Sequence, residues 1–249
     1  MKIAIFTICI GDTYKQQYES IFKPSVEKYC NKYNYDLHVI SDFIGESKYR
    51  NKSFISFMKM IVPYTEKAKE YDLIMVLDAD ILINDNTPPF HTLDFGDKIA
   101  VVDEYTQPSY EERLEIQRKN GWEVGADEYY KCCNLIIDTK HMINSGMFIC
   151  KPSIHEYFFK DLVLNYIDKQ YNHPRGFHYE QSVFGYEVQK QNLYFILDNK
   201  WNKLWNYYKK SESENGPLFK QFYIFYNDSY FLHMAGHVDY NSAYIFRNK

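Results

Sequence analysis

At 249 residues the chain is long enough to bury a core of its own without a disulfide scaffold or a structural metal. Lys and Arg total 29 against 33 Asp and Glu, a formal net charge of −4, which argues against a nucleic-acid partner because phosphate contacts need a basic face. Cys9, Cys30, Cys132, Cys133 and Cys150 make an odd set with no C-x-x-C spacing, so neither a zinc site nor a disulfide framework is indicated and a reducing, cytoplasmic compartment is expected.

The opening run Lys2 to Ile10 (KIAIFTICI) is mostly apolar and ends at Gly11-Asp12, the pattern of a buried strand and a turn. It is too short to span a bilayer, and no transmembrane segment is expected elsewhere. Tyr18, Ile21, Phe22, Val26 and Tyr29 then fall at helical spacing over residues 13–32, with a kink expected at Pro24. Tyr35 to Ile40 reads as the second strand of a βαβ unit. A helical pattern over Phe54 to Ala68 contains Pro63. It leads into Leu73 to Leu77 (LIMVL), an unbroken hydrocarbon run suited to a central parallel strand buried on both faces.

Asp78-Ala79-Asp80 follows at once, at the carboxyl end of that strand, where open α/β sheets bind ligands. Two carboxylates one residue apart can offer oxygen ligands to a hard divalent cation, Mg²⁺ or Mn²⁺, or they can be a solvated turn. Further along, Ile99 to Val102 reads as a strand ending at Asp103-Glu104, which could line the site. Pro108 to Lys119 reads as a charged surface helix. Asn120 to Lys131 shows no clear period and reads as a loop or lid whose rings Trp122, Tyr129 and Tyr130 could stack on an acceptor; a surface excursion with Trp122 in the core is the alternative. Met142 to Cys150 reads as a strand, Ile154 to Ile167 and Tyr179 to Gln189 as helices, Leu193 to Leu197 as a strand and Lys209 to Pro217 as a polar loop. Aromatic residues make up 18% of the chain, with 25 Tyr and 18 Phe, which either supply stacking platforms for sugars and bases or reflect AT-rich coding.

Leu73 to Ile83 (LIMVLDADILI) resembles the DXD segment of GT-A glycosyltransferases, in particular the glycogenin-like and yeast-type galactosyl- and mannosyltransferases. Three further segments match in order: Asn144-Ser145-Gly146-Met147-Phe148 resembles the N-[AS]-G strand, Glu180-Gln181-Ser182 the [DE]-Q helix start, and His233-Met234-Ala235-Gly236 the late H-x-x-G motif. Where glycogenin-like enzymes continue into Lys-Pro-Trp, this chain has His237-Val238-Asp239-Tyr240.

The resemblance implies a single GT-A (Rossmann-like) α/β domain with a mixed, mostly parallel central sheet flanked by helices. Residues to about 105 would form the nucleotide-binding half, and residues 106–249 the sugar- and acceptor-binding half. It implies that Asp80 ligates the metal, that Asp78 binds the metal, the donor ribose or both, and that His233 completes the ligand set, a nitrogen that favours Mn²⁺ over Mg²⁺. Thr7, Ile8 and Cys9 would offer backbone groups to the base, with Tyr14 stacking or capping. Lys59, on one helix face with Lys52 and Ser56, resembles a donor-contacting lysine; a solvated helix face is the alternative. Asn144 and Ser145 would hydrogen-bond sugar hydroxyls, and Gly146 would admit the sugar closely. Ala79, Gly236 and His237 would border the donor, Gln181 would face the reacting carbon, and Glu180 would contact sugar or acceptor.

The activity expected is transfer of a sugar from a nucleoside diphosphate sugar, a UDP-sugar, to an acceptor hydroxyl on a glycan, with retention of configuration. Inversion with Glu180 as general base is the alternative stereochemistry. An aspartyl-nucleophile phosphatase also carries D-x-D after a buried strand, but on its first strand. A non-catalytic sugar- or nucleotide-binding module on the same scaffold is the reading from a different class.

Overall fold

Hydrocarbon runs separated by turns and amphipathic helices fold into two sheets in the computed structural model, which describes residues 1–50, 52–169, 179–236 and Ala243. The strands in chain order are β1 (Ile3–Ile8), β2 (Asp36–Ile40), β3 (Leu73–Asp78), β4 (Ile81–Ile83), β5 (Ile99–Asp103), β6 (Ile143–Cys150), β7 (Tyr194–Leu197), β8 (Lys203–Leu204) and β9 (Phe231–His233). The helices are α1 (Asp12–Gln17), α2 (Lys23–Tyr33), α3 (Met58–Ile61), α4 (Tyr110–Asn120), α5 (Ala126–Cys132), α6 (Pro152–Tyr166), α7 (Tyr179–Lys190), α8 (Trp205–Tyr208), α9 (Glu212–Asn215) and α10 (Leu218–Asn227). The main sheet has six strands in the order β2-β1-β3-β6-β5-β7, and a small second sheet has the order β4-β9-β8.

Every pairing in the main sheet is parallel except the two made by β6. The mixed, mostly parallel sheet expected from the sequence is therefore present, but β3 is parallel to β1 on one side and antiparallel to β6 on the other. The reversal has a simple cause. After β5 ends at Asp103 the chain does not cross back over the sheet, and it re-enters at Ile143, directly opposite Asp103.

Alternation along the strands sorts the core into two faces. Ala4, Phe6, Ile74, Val76, Ile99, Val101, Phe148 and Cys150 pack on the side of α6 and α7, while Ile3, Ile5, Leu73, Met75, Leu77 and Ile149 pack on the side of α2. Each aliphatic side chain buried in this way contributes about 1.5–3 kcal/mol relative to exposure. A charge is therefore excluded from β3 until Asp78, where the strand leaves the core.

Several expectations need correction. The helical pattern at 54–68 is instead a string of tight turns, Lys52–Phe57, α3, Val62–Tyr64 and Ala68–Glu70, because Pro63 cannot donate to the preceding turn and Ile61, Val62 and Thr65 are β-branched. Before Pro24, which provides no amide for the carbonyl of Ser20, a wide π-turn over Tyr18–Phe22 takes up the mismatch between α1 and α2.

The stretch 120–131 is not loop throughout. Gly121, at φ 62°, ends α4, and α5 begins after Gly125, with the Glu128 carboxylate capping the amides of Val124 and Gly125. Ala126, Tyr129, Tyr130 and Cys133 then recur at helical spacing on a buried face, so the two tyrosines are core residues and not acceptor platforms. The helix α4 is not a plain surface helix either, since Arg113 and Gln117 point into the protein. The 209–217 loop contains the short α9, and the sequence reading did not foresee α10 or the small sheet. Among the described residues no helix is long and apolar enough to cross a membrane.

Candidate active site

Asp78 closes β3, and the turn Ala79-Asp80 runs into β4, whose antiparallel partner β9 ends at His233. The Asp80 carbonyl accepts from the Met234 amide at 2.9 Å, which pins the two ends together. One carboxylate oxygen from each aspartate and one imidazole nitrogen lie within 4.8 Å of one another. His233 Nε2 stands 3.2 Å from Asp80 Oδ1 and 3.9 Å from Asp78 Oδ2.

Lys59, at the edge of α3, is buried and faces the same cluster. Its Nζ lies 2.9 Å from Asp78 Oδ1, 3.1 Å from Glu180 Oε1 and 3.4 Å from Ser145 Oγ, and Ser145 Oγ donates to Glu180 Oε1 at 3.1 Å. Lys59 is thus an internal ion, not part of a solvated helix face. Glu180, at the start of α7, is likewise buried, so it is not a surface helix carboxylate.

The electrostatics test whether a divalent cation fits. Asp78 and Asp80 set two carboxylates beside one imidazole nitrogen, and Lys59 lies against Asp78 and Glu180. Burial raises the pKa of Asp78, Lys59 opposes that rise, and the neighbouring Asp80 carboxylate adds to it. Burial alone would lower the pKa of His233, but Asp80 and then Asp78 bring it above the ordinary value. Both shifts follow from drawing two carboxylates and an imidazole together in a buried turn. The donor set, two oxygens and a borderline nitrogen, suits Mn²⁺.

The residues expected to meet the sugar form a second cluster. The pairing of β5 with β6 jumps from Val101↔Phe148 to Val102↔Asn144, a bulge that frees Ser145 and Gly146 from the β5 ladder. Asn144 Nδ2 donates to Glu104 Oε2 at 2.9 Å and lies 3.3 Å from Gln181 Oε1, and Gln181 Nε2 reaches Glu104 Oε2 at 3.3 Å. Glu104, a lesser candidate from sequence, is therefore the hub of this cluster, held by Arg113 and by the Tyr207 hydroxyl at 3.0 Å. The Arg113 guanidinium lies 3.5 Å from the centroid of the Tyr207 ring. Gly146 was expected to admit a sugar, but the group found against it is His233, whose Cε1 would lie 2.3 Å from a Cβ at that position.

Burial alone would raise the pKa of Glu104, but Arg113, with help from Asn144 and Tyr207, brings it below the usual value. A depressed carboxyl pKa stabilises the fold in full above the unfolded value of about 4.5 and progressively less as pH falls through the folded one. In Glu104→Gln the buried Arg113 loses its ion pair, a loss of roughly 3–5 kcal/mol at neutral pH. The melting temperature of the variant should lie well below that of the parent at pH 7, and the gap should narrow as the pH falls below about 4.5. Parallel curves would rule out the depressed pKa.

Among the residues expected to meet the base, Ile8 is the register partner of Asp78, so Ile8 and Cys9 adjoin the acidic turn. Thr7 is fully buried between Val39 and Leu77. The Cys9 amide is committed to the Ile40 carbonyl at 2.9 Å, and burial pushes the Cys9 thiol up to about 11. Tyr14, on α1, is 39% exposed. Ala79 is half-buried and Gly236 is exposed at φ 79°, while His237 and residues 238–240 lie outside the described residues. Asp103 turns away from the site and holds His141 Nδ1 at 2.7 Å and the amides of Tyr105 and Met142.

No protein-family model matches the sequence, and no curated protein does. Likeness appears in three dimensions. A glycosyltransferase involved in glycosylating the major capsid of PBCV-1 superposes with a TM-score of 0.62 at 16% identity, over 100% of this chain and 99% of that one. The galactosyltransferase LgtC, solved with donor and acceptor sugar analogues, gives 0.57 at 16% identity over 100% and 94%. The bifunctional WbbM gives 0.66 at 12% identity over 98% of this chain, which spans 49% of that one. At such identities the likeness is one of fold, and the fold is GT-A, as the motif order implied.

Proposed function

We propose that this chain is a hexosyl-type glycosyltransferase that moves a sugar from a UDP-sugar to a hydroxyl of a glycan acceptor, with Mn²⁺ or Mg²⁺ bound and with retention of configuration. The observation that carries the proposal is the Asp78–Asp80–His233 cluster at the carboxyl end of β3. The GT-A fold supports it.

Asp78, Asp80 and His233 would hold the cation, which when bound supplies Lewis acidity toward the leaving diphosphate. Lys59 adds a fixed positive charge beside Asp78 that can turn to a phosphate. The Gln181 carboxamide is oriented from both ends, its oxygen facing Asn144 Nδ2 and the Ser145 amide and its nitrogen facing Glu104, so it is set before a sugar arrives. Asn144 and Ser145 are the candidates for sugar hydroxyls. The backbone at Ile8 and Cys9, with Tyr14 beyond it, would take the base. Residues to about 105 would thus bind the nucleotide, and the remainder would bind sugar and acceptor.

Retention is favoured because Glu180 is ion-paired to Lys59 and bonded to Ser145, an environment that disfavours a general base. An aspartyl-nucleophile phosphatase needs a free carboxylate, whereas both oxygens of Asp78 lie against Lys59, at 2.9 and 3.2 Å. Five free cysteines suit a reducing, cytoplasmic compartment.

A melting-temperature panel tests the reading. At a hundredfold excess over Kd, a ligand specific to the folded state adds about 2.7 kcal/mol, on the order of 5–10 °C for a chain of this size. UDP should produce that shift with Mn²⁺ and lose it in EDTA. An equal shift with and without chelator would overturn metal dependence. Binding without hydrolysis of any UDP-sugar would favour the non-catalytic module.

A further inference from the structure

One residue without a motif links the two clusters. The Gly146 amide can only donate, so the Asn144 atom 2.9 Å from it is Oδ1, which agrees with Asn144 Nδ2 facing the Glu104 carboxylate. A second group reaches Asn144 Oδ1 at 2.8 Å and must also be a donor, which makes it Asn202 Nδ2. Asn202 Oδ1 is then the atom facing His233 Nδ1, at 2.9 Å. An amide oxygen accepts only, so Nδ1 carries the proton.

The other nitrogen, Nε2, faces Asp80 and Asp78 and is the one free to give up its proton to an ion bound there. A backbone amide in β6 thus fixes, through two carboxamides, the tautomer of a ring on β9. Asn202 is itself clamped, since the buried Gln107 donates to the Asn202 carbonyl at 3.0 Å and accepts from the Leu204 amide at 2.8 Å.

We infer that Asn202 is a positioning residue: it holds His233 in the Nδ1–H tautomer that presents Nε2 to a metal ion, and ties that ring to the sugar-side residue Asn144. The inference rests on the metal-site reading above. Its chemistry is that of an outer-shell partner, whose loss typically lowers metal affinity 10- to 100-fold. Leucine at 202 would fill the space but leave Nδ1–H without an acceptor, so the ring could place its proton on Nε2 and compete with the ion. Aspartate would keep the acceptor for His233 while losing the donor to Asn144.

Mn²⁺ binding to the full chain, followed by the paramagnetic resonance signal of the free ion, separates the possibilities. The parent should bind one Mn²⁺ in a manner abolished by Asp80→Ala; if it does not, the metal reading fails, independently of Asn202. Given that binding, Asn202→Leu should weaken it 10- to 100-fold and Asn202→Asp should stay within about threefold of the parent. A folded Asn202→Leu with unchanged affinity, or equal losses in both variants, overturns the inference. Nitrogen chemical shifts of the parent loaded with diamagnetic Zn²⁺ give a reading that needs no variant: a proton on Nδ1 of His233 supports the assignment, and a proton on Nε2 overturns it.

Discussion

Asp80→Ala should abolish the Mn²⁺-dependent stabilisation by UDP while costing the unliganded protein little. The two halves of this expectation have one cause. Asp78 and Asp80 are like charges that share a partly buried turn, so removing one relieves repulsion in the empty site and removes the attraction that a cation needs. Loss of turnover should reach roughly 10²- to 10³-fold, the range seen when one preorganised electrostatic group is deleted. His233→Ala should match it in function but not in stability. That ring is buried and bonded to Asn202, so its removal leaves a cavity and an unpaired amide oxygen, at a cost of about 1–3 kcal/mol. Melting curves with and without ligand, read alongside donor hydrolysis, check both. Near-normal turnover in the two variants would move the site elsewhere.

Much of this site was legible because its chemistry sits where strands end. LIMVL could only be a strand buried on both faces, and the first charge after it had to mark the sheet's carboxyl edge; β3 ends at Asp78 as that argument requires. His233 was legible through its motif, although the reason for its position was not. That reason is the pairing of β4 with β9, three residues each, too short to show a period.

The failures share a different cause. Residues 120–131 show no clear period as a whole, because the helix that begins within them is only 7 residues long, yet Ala126, Tyr129, Tyr130 and Cys133 trace one helical face, and α5 buries the two rings. In α10, likewise, Leu218, Phe222 and Phe225 recur at helical spacing on the buried face. Asn202 had no such signal, since its role depends on hydrogen bonds to Asn144 and His233, which are 58 and 31 residues away in sequence.

Gly146→Ala is the single methyl expected to do the most damage. An ideal Cβ there would lie 2.3 Å from His233 Cε1, 2.8 Å from His233 Nδ1 and 2.9 Å from Asn144 Oδ1. Neither neighbour can yield cheaply. The imidazole is held by Asn202 on one side and Asp80 on the other, and Asn144 is held by Glu104 and Asn202. Overpacking of this kind costs about 1–3 kcal/mol. The functional loss should be larger, because relief requires moving the ring by about an ångström, and a misplacement of that size costs on the order of 10²-fold in a preorganised site. Gly185→Ala, in α7, supplies the control. Its Cβ would meet the Tyr130 hydroxyl at 2.4 Å and Ile143 Cβ at 3.3 Å, a comparable clash that touches none of the three proposed ligands. Both variants should melt below the parent, but only Gly146→Ala should lose Mn²⁺ affinity out of proportion to its fall in melting temperature. Equal retention of Mn²⁺ affinity in the two would mean that the ring can retreat without cost, and that His233 is not the ligand its surroundings make it.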